Sequence, residues 1–144
     1  MNAFISHFGI MELTKEQKLS LLSELIRLAN ADGEHRDEEY DMLHLVAQTL
    51  EVEPMEMEEL FLRSAQFHPP KEEVKRIVVF YHMLRIVWAD DHLDPDEEHL
   101  LRELGAQLSL PIQAVDTAIK RSKIYPQGNI PDQEWIEIFQ VHHN

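Results

Sequence analysis

Four acids define the chemistry this chain can offer. Asp90 follows an alanine, and Glu97 lies seven positions beyond it; Asp32 and Glu39 repeat the arrangement earlier in the chain. Carboxylates on segments that open helices are hard oxygen donors, and clustered hard oxygens are what Ca²⁺ or Mg²⁺ requires. Asp91, Asp94 and Glu34 stand close by as further candidate ligands. The expected metal set is therefore Asp32, Glu39, Asp90 and Glu97, extended by Asp91 and Asp94. Arg27 and Arg85 each precede their acid by five residues and are expected to support the cluster by reducing its self-repulsion.

A second chemistry uses the same residues without an ion. Asp94-Pro95-Asp96-Glu97 reads as a helix start, with Asp94 as N-cap, Pro95 at the first helical position and Glu97 reaching back to the Asp94 amide. Glu39 takes the same place in the first copy, although Arg36 is a poor cap. Capping alone does not require the same acids twice with an arginine five residues upstream. Both readings stay open on the sequence.

Sharper alternatives fail on spacing. A calcium-binding helix-loop-helix motif needs acids at positions 1, 3 and 5, glycine at 6 and glutamate at 12. Here the glutamate comes seven after the first acid, and Gly33 follows Asp32 directly. A di-iron bundle needs Glu-x-x-His on two helices; only Asp41-x-x-His44 and Asp96-x-x-His99 approach it, and they are not repeat-equivalent. There is no His-Glu-x-x-His, no phosphate-binding glycine loop and no Gly-x-Ser-x-Gly. His35, His92 and His99 could serve a softer ion such as Zn²⁺ or Ni²⁺, but the acids favour Ca²⁺ or Mg²⁺ over Zn²⁺. No organic cofactor is expected. His82, Trp88 and Trp135 read as core residues.

Helices must position these acids. Residues 2–10 suggest a short apolar turn or arm. Thr14 and Gln17 fit a capping box, and Leu19, Leu22, Leu25, Ile26, Leu28 and Ala29 follow at helical spacing, with Gly33 as a breaker. A second helix starts near Asp37, and Pro54 opens a third with Met57, Leu60 and Phe61 inward. The fourth, from about 71 to 89, is apolar nearly all round over its second half, the pattern of a central helix. Helices over 95–108, 111–122 and 131–141 complete an all-α bundle of about seven, with a turn-rich loop at 125–130. All seven prolines fall at these boundaries.

The chain also matches itself when Asp32 is laid on Asp90. In that register Arg27 falls on Arg85, Ala31 on Ala89, Leu43 on Leu101, Leu50 on Leu108 and Arg63-Ser64 on Arg121-Ser122. Repeat one covers about 15–67 and repeat two about 73–125, within one domain spanning 1–144. Two such copies are expected to pack about a pseudo-twofold axis, which would bring the acidic segments, or the helices bearing them, together.

Composition narrows the partners. The formal net charge is −14, with 27 acids against 13 lysines and arginines. Such a chain repels nucleic acid and anionic membrane surfaces and favours cations or basic proteins. It has no cysteine, so thiolate metal sites and cysteine nucleophiles are excluded. The start lacks a basic residue ahead of its apolar part, and no apolar run is long enough for a bilayer. A cytoplasmic protein without membrane insertion is expected.

Leu28-Ala29-Asn30-Ala31-Asp32-Gly33, with Glu39 and Leu43, resembles the TerB-like tellurite-resistance family and the N-terminal region of DjlA-type membrane co-chaperones. Val87-Trp88-Ala89-Asp90-Asp91, with Glu97 and Leu101, is similar to a degenerate second copy. The resemblance covers roughly residues 14–125. It implies a helical domain whose acids, here Asp32, Glu39, Asp90 and Glu97, bind a divalent metal, and a link to tellurite or stress resistance. Asp91 departs from the expected glycine, and no J-domain segment is present. The expectation is a non-catalytic cation-binding protein with protein partners; the alternative is a metal-free interaction module with an acidic face.

Overall fold

The computed structural model describes residues 13–30, 37–63, 65–88 and 91–141, apart from the side chains of residues 30 and 37–39. The arm expected over 2–10 and the Gly33 breaker lie outside the described residues. Among those described there are seven α-helices and no strand: α1 Lys15–Asn30, α2 Asp37–Thr49, α3 Pro54–Leu62, α4 Glu73–Val87, α5 Pro95–Gln107, α6 Ile112–Ser122 and α7 Asp132–Val141. A short 3₁₀ turn, Pro126–Gly128, sits in the loop before α7.

Local chemistry sets the helix starts. Gln17 N donates to Thr14 Oγ1 at 3.1 Å and Thr14 N donates to Gln17 Oε1 at 3.0 Å, a complete capping box for α1. In α3, Pro54 occupies the first helical position and Glu53 N donates to Glu56 Oε1 at 3.0 Å. Glu56 also meets Lys15 Nζ at 2.8 Å, tying the start of α3 to the start of α1.

The internal repeat extends to the elements. In the register that lays Asp32 on Asp90, α2 and α5 begin and end at equivalent positions, Asp37 with Pro95 and Thr49 with Gln107. The starts of α3 and α6, Pro54 and Ile112, are equivalent as well. The turns that follow α2 and α5 match too. Val52 N donates to Ala47 O at 2.9 Å and Glu51 N to Gln48 O at 3.1 Å; Leu110 N donates to Gly105 O at 3.0 Å and Ser109 N to Ala106 O at 2.9 Å. Each set closes its helix with a left-handed residue, Glu51 at φ 59° and Ser109 at φ 58°.

The two copies interlock. α1 packs on α5 and α2 packs on α4, which are the same pair exchanged between copies, and α2 also packs on α5. Within the copies, α1 holds α2 and α3, while α5 holds α4 and α6; α7 closes over α6. Leu22, Val46, Leu50, Phe80, Leu104, Leu108 and Ile119 are fully buried where these faces meet. Phe80, Tyr81 and Phe139 surround the buried Trp135 ring, with centroids 5.0 to 6.0 Å away.

Two expectations about the core are corrected. Phe61 is 40% exposed rather than inward, because it sits on the side of α3 facing Tyr40 instead of α1. Trp88 is half-buried at the end of α4, where its Nε1 donates to Ser122 Oγ at 3.0 Å. That hydrogen bond lets a polar ring edge lie against the 3₁₀ turn.

Candidate functional site

The second acidic segment opens α5. Glu97 N donates to Asp94 Oδ1 at 2.9 Å, and Asp94 N donates to Glu97 Oε1 at 3.0 Å. Pro95 stands at the first helical position, where its missing N–H costs nothing, and Asp96, Glu97 and Glu98 fill the acidic first turn. The capping chemistry is thus present in full. Glu97 is only 4% exposed, an acid held at the positive end of a helix rather than one presented to solvent.

Asp91 adopts φ 60°, and its N–H donates to Trp88 O at 2.8 Å. This is the left-handed conformation that glycine takes most readily and aspartate tolerates better than most residues. The departure from glycine at this position, apparent in the sequence, therefore does not prevent a glycine-like turn. The Asp91 side chain is exposed, and Asp94 is half-buried.

The other acids divide by position. Asp32, Glu34 and Asp90 lie outside the described residues, and Glu39 is placed in the first turn of α2 by its backbone alone. Among the described residues, no three histidine, aspartate or glutamate side chains gather closely enough to hold a metal ion. His35 lies outside the described residues. His92 is exposed, and His99 pairs with Glu103 at 2.6 Å on its own helix.

The arginines have partners that their spacing to the acids did not foretell. Arg27 clamps Glu24 with two hydrogen bonds of 2.7 Å. Glu24 is buried, and its hydrogen bonds and charge hold the Arg27 guanidinium above its usual range. The signal is an i, i+3 pair on α1, with the acid upstream of the arginine rather than downstream. Arg85 lies over the Tyr81 ring at 5.7 Å and donates to its hydroxyl at 3.5 Å. Burial raises the Tyr81 hydroxyl pKa, against the opposing pull of Arg85.

Ser20 and Ser23 are further polar residues that the sequence did not single out. They share the buried ridge of α1 with Glu24, and their hydroxyls accept the amides of His68 at 3.1 Å and Ala65 at 2.9 Å. They fasten the segment between α3 and α4 onto α1. Only the helical spacing of Ser20, Ser23, Glu24 and Arg27 hints at a polar ridge.

These features describe an all-helical protein of two interlocked three-helix copies, each with an acidic segment ahead of its middle helix. Residues 3–62 match the family model of the tellurite resistance protein TerB, and that stretch is accordingly TerB-like. The match covers most of the first copy, a shorter stretch than the 14–125 expected from the sequence. No curated protein and no solved structure matches the chain. No helix among the described residues is long and apolar enough to cross a membrane.

Proposed function

We propose that this TerB-like protein is non-catalytic and takes up a divalent cation, Ca²⁺ or Mg²⁺ in preference to Zn²⁺, between its two acidic segments. The family name adds a role in tellurite or stress resistance. The observation that carries the reading is the packing of α2 on α5. These are the helices that the two acidic segments open, so their N-terminal acids belong to neighbouring elements. A carboxylate that accepts one amide, as Asp94 does, keeps a second oxygen able to face a cation. Asp32, Glu39 and Asp90 would complete the oxygen set, with Asp91 and Glu97 beside them.

The test is thermal unfolding of the full chain with Ca²⁺, Mg²⁺, Mn²⁺ and Zn²⁺ in turn. A cation at 100 times its Kd adds about 2.7 kcal/mol to stability. That gain should vanish in the Asp32→Asn, Asp90→Asn double variant. Absence of a gain with every ion, or a gain that survives the double variant, overturns the reading. Salt-sensitive capture of a basic protein by the metal-free chain, abolished in the same double variant, would establish the acidic-face alternative instead.

A further inference from the structure

The two copies carry different chemistry on one surface. On the second copy, Glu98, Arg102, Asp116, Lys120 and Lys123 form a continuous ion-pair network across α5 and α6. Its separations are 3.6 Å for Arg102–Glu98, 3.1 Å for Arg102–Asp116, 2.9 Å for Lys120–Asp116 and 2.9 Å for Lys123–Glu98. This face satisfies itself. It also absorbs Lys120 and Lys123, two of the 13 lysines and arginines in an acidic chain.

In the first copy, the equivalent positions carry different chemistry. Glu98 becomes Tyr40, Arg102 becomes His44, Lys120 becomes Leu62, and the buried Ile119 becomes Phe61. Tyr40 is 52% exposed and Leu62 81%. The Tyr40 ring lies 4.4 Å from His44 and 6.0 Å from Phe61, so α2 and α3 present one joint aromatic surface. Met55, a further exposed apolar residue, continues the ridge along α3. Exposed large apolar residues scattered singly are ordinary; a contiguous group on one face marks a contact surface.

One residue type survives the change. Asp116 corresponds to Glu58, so the acid is retained while neither position equivalent to its two cations carries lysine or arginine. Glu58 is exposed and lies one helical turn from both Phe61 and Leu62. Its neighbour Glu59 is exposed too and pairs with Arg63 at 3.7 Å, so Glu58 is the acid this face offers a partner.

We propose that the α2–α3 face built by Tyr40, Phe61, Leu62 and Glu58 docks an amphipathic helix of another protein. Its apolar stripe seats on the aromatic pair, and a lysine or arginine on its flank meets Glu58. A second copy of this chain is disfavoured as the occupant, because two molecules each of formal charge −14 repel. The surface is distinct from the acidic segments, so the proposal holds whether or not a cation binds there.

Three synthetic peptides about four helical turns long test it. Two share one Leu/Phe stripe and carry either lysine or glutamate on its flanks; the third keeps the lysines but scrambles the stripe. Binding to the full chain is read by fluorescence anisotropy at about 0.15 M salt, where long-range attraction is screened. The lysine-flanked peptide should saturate, and Leu62→Lys or Tyr40→Ser should weaken it at least about tenfold. Ile112→Lys, on the exposed side of the second copy, should leave binding unchanged. Equal binding of the ordered and scrambled peptides, or equal loss from Leu62→Lys and Ile112→Lys, would mean general charge attraction and would overturn the proposal. Equal binding of the glutamate-flanked peptide would overturn the assigned charge. A dimer in sedimentation that Leu62→Lys abolishes would make a second copy the occupant, and the proposal would fall. Leu62 is on the surface, so its variant is expected to keep the wild-type melting temperature, and this is measured alongside.

Discussion

Asp94 and Glu97 hold one another's backbone: each carboxylate accepts the other's amide, at 2.9 and 3.0 Å. An ion held by either carboxylate would share that group, through its second oxygen, with a peptide N–H. Structure and binding are therefore coupled at the start of α5, and substitutions there should separate the two roles.

Asp94→Ala removes the N-cap acceptor and should destabilise the protein by about 1 kcal/mol in denaturant unfolding without added metal. Glu97→Gln keeps an acceptor at the third helical position and should cost less, about 0.5 kcal/mol. If Asp94→Ala unfolds at the wild-type midpoint, the cap carries no stability. If Glu97→Gln abolishes a metal-dependent gain while preserving the metal-free midpoint, that carboxylate is a ligand as well as a cap.

Gly128 cannot become alanine without cost. It sits at φ 65°, and an added Cβ would stand 2.1 Å from Trp88 Cδ1. Strain in the left-handed region and displacement of the indole together should cost about 3 kcal/mol. The Trp88 ring would also lose its hydrogen bond to Ser122, so a change in tryptophan fluorescence should accompany the fall in midpoint. An unchanged midpoint would show that the turn shifts freely.

The two left-handed helix ends offer the opposite result. Glu51→Gly and Ser109→Gly place the preferred residue at each position and should stabilise by about 0.5–1 kcal/mol apiece. Ending different helices and sharing no hydrogen-bond partner, the two should add in the double variant. Denaturant midpoints for the two single variants and the double check both statements.

Acid should release the clasp on α7. Glu134 is held by Arg121 through hydrogen bonds of 3.1 Å and by the Tyr125 hydroxyl at 2.7 Å, and both lower its pKa, Arg121 the more. Its folded value lies below its unfolded one. The stabilisation is therefore complete above the ordinary glutamate value of about 4.3 and is lost as pH falls through the depressed folded value. The stability difference between wild type and Glu134→Gln should be constant from about pH 7 to 5 and narrow below about pH 4. A difference independent of pH would mean that the ion pair adds nothing beyond a neutral hydrogen bond.

Helix boundaries were legible because the punctuation was chemical. Thr14 with Gln17, Pro54, and Asp94 with Pro95 and Glu97 each announce a start, and each is observed. The internal repeat was legible because buried leucines recur at one spacing, Leu43 with Leu101 and Leu50 with Leu108. What was not legible depended on where a residue faces among several neighbours. Phe61 belongs to an apolar helix by pattern, yet whether it turns toward α1 or toward Tyr40 is decided by how α3 is rotated on α1, the helix it packs against. Arg27 had an acid on either side in the sequence. The helix brings Glu24 within reach of two hydrogen bonds, which a count of residues to Asp32 cannot reveal.

The exchange of partners between the copies, α1 on α5 and α2 on α4, makes each half of the chain the complement of the other. A cut between α3 and α4 would leave two peptides whose apolar faces have lost their cover. Those peptides would be ligands for one another, able to restore the fold by association. The family match ends at residue 62, the last residue of α3, just ahead of the segment where such a cut would fall.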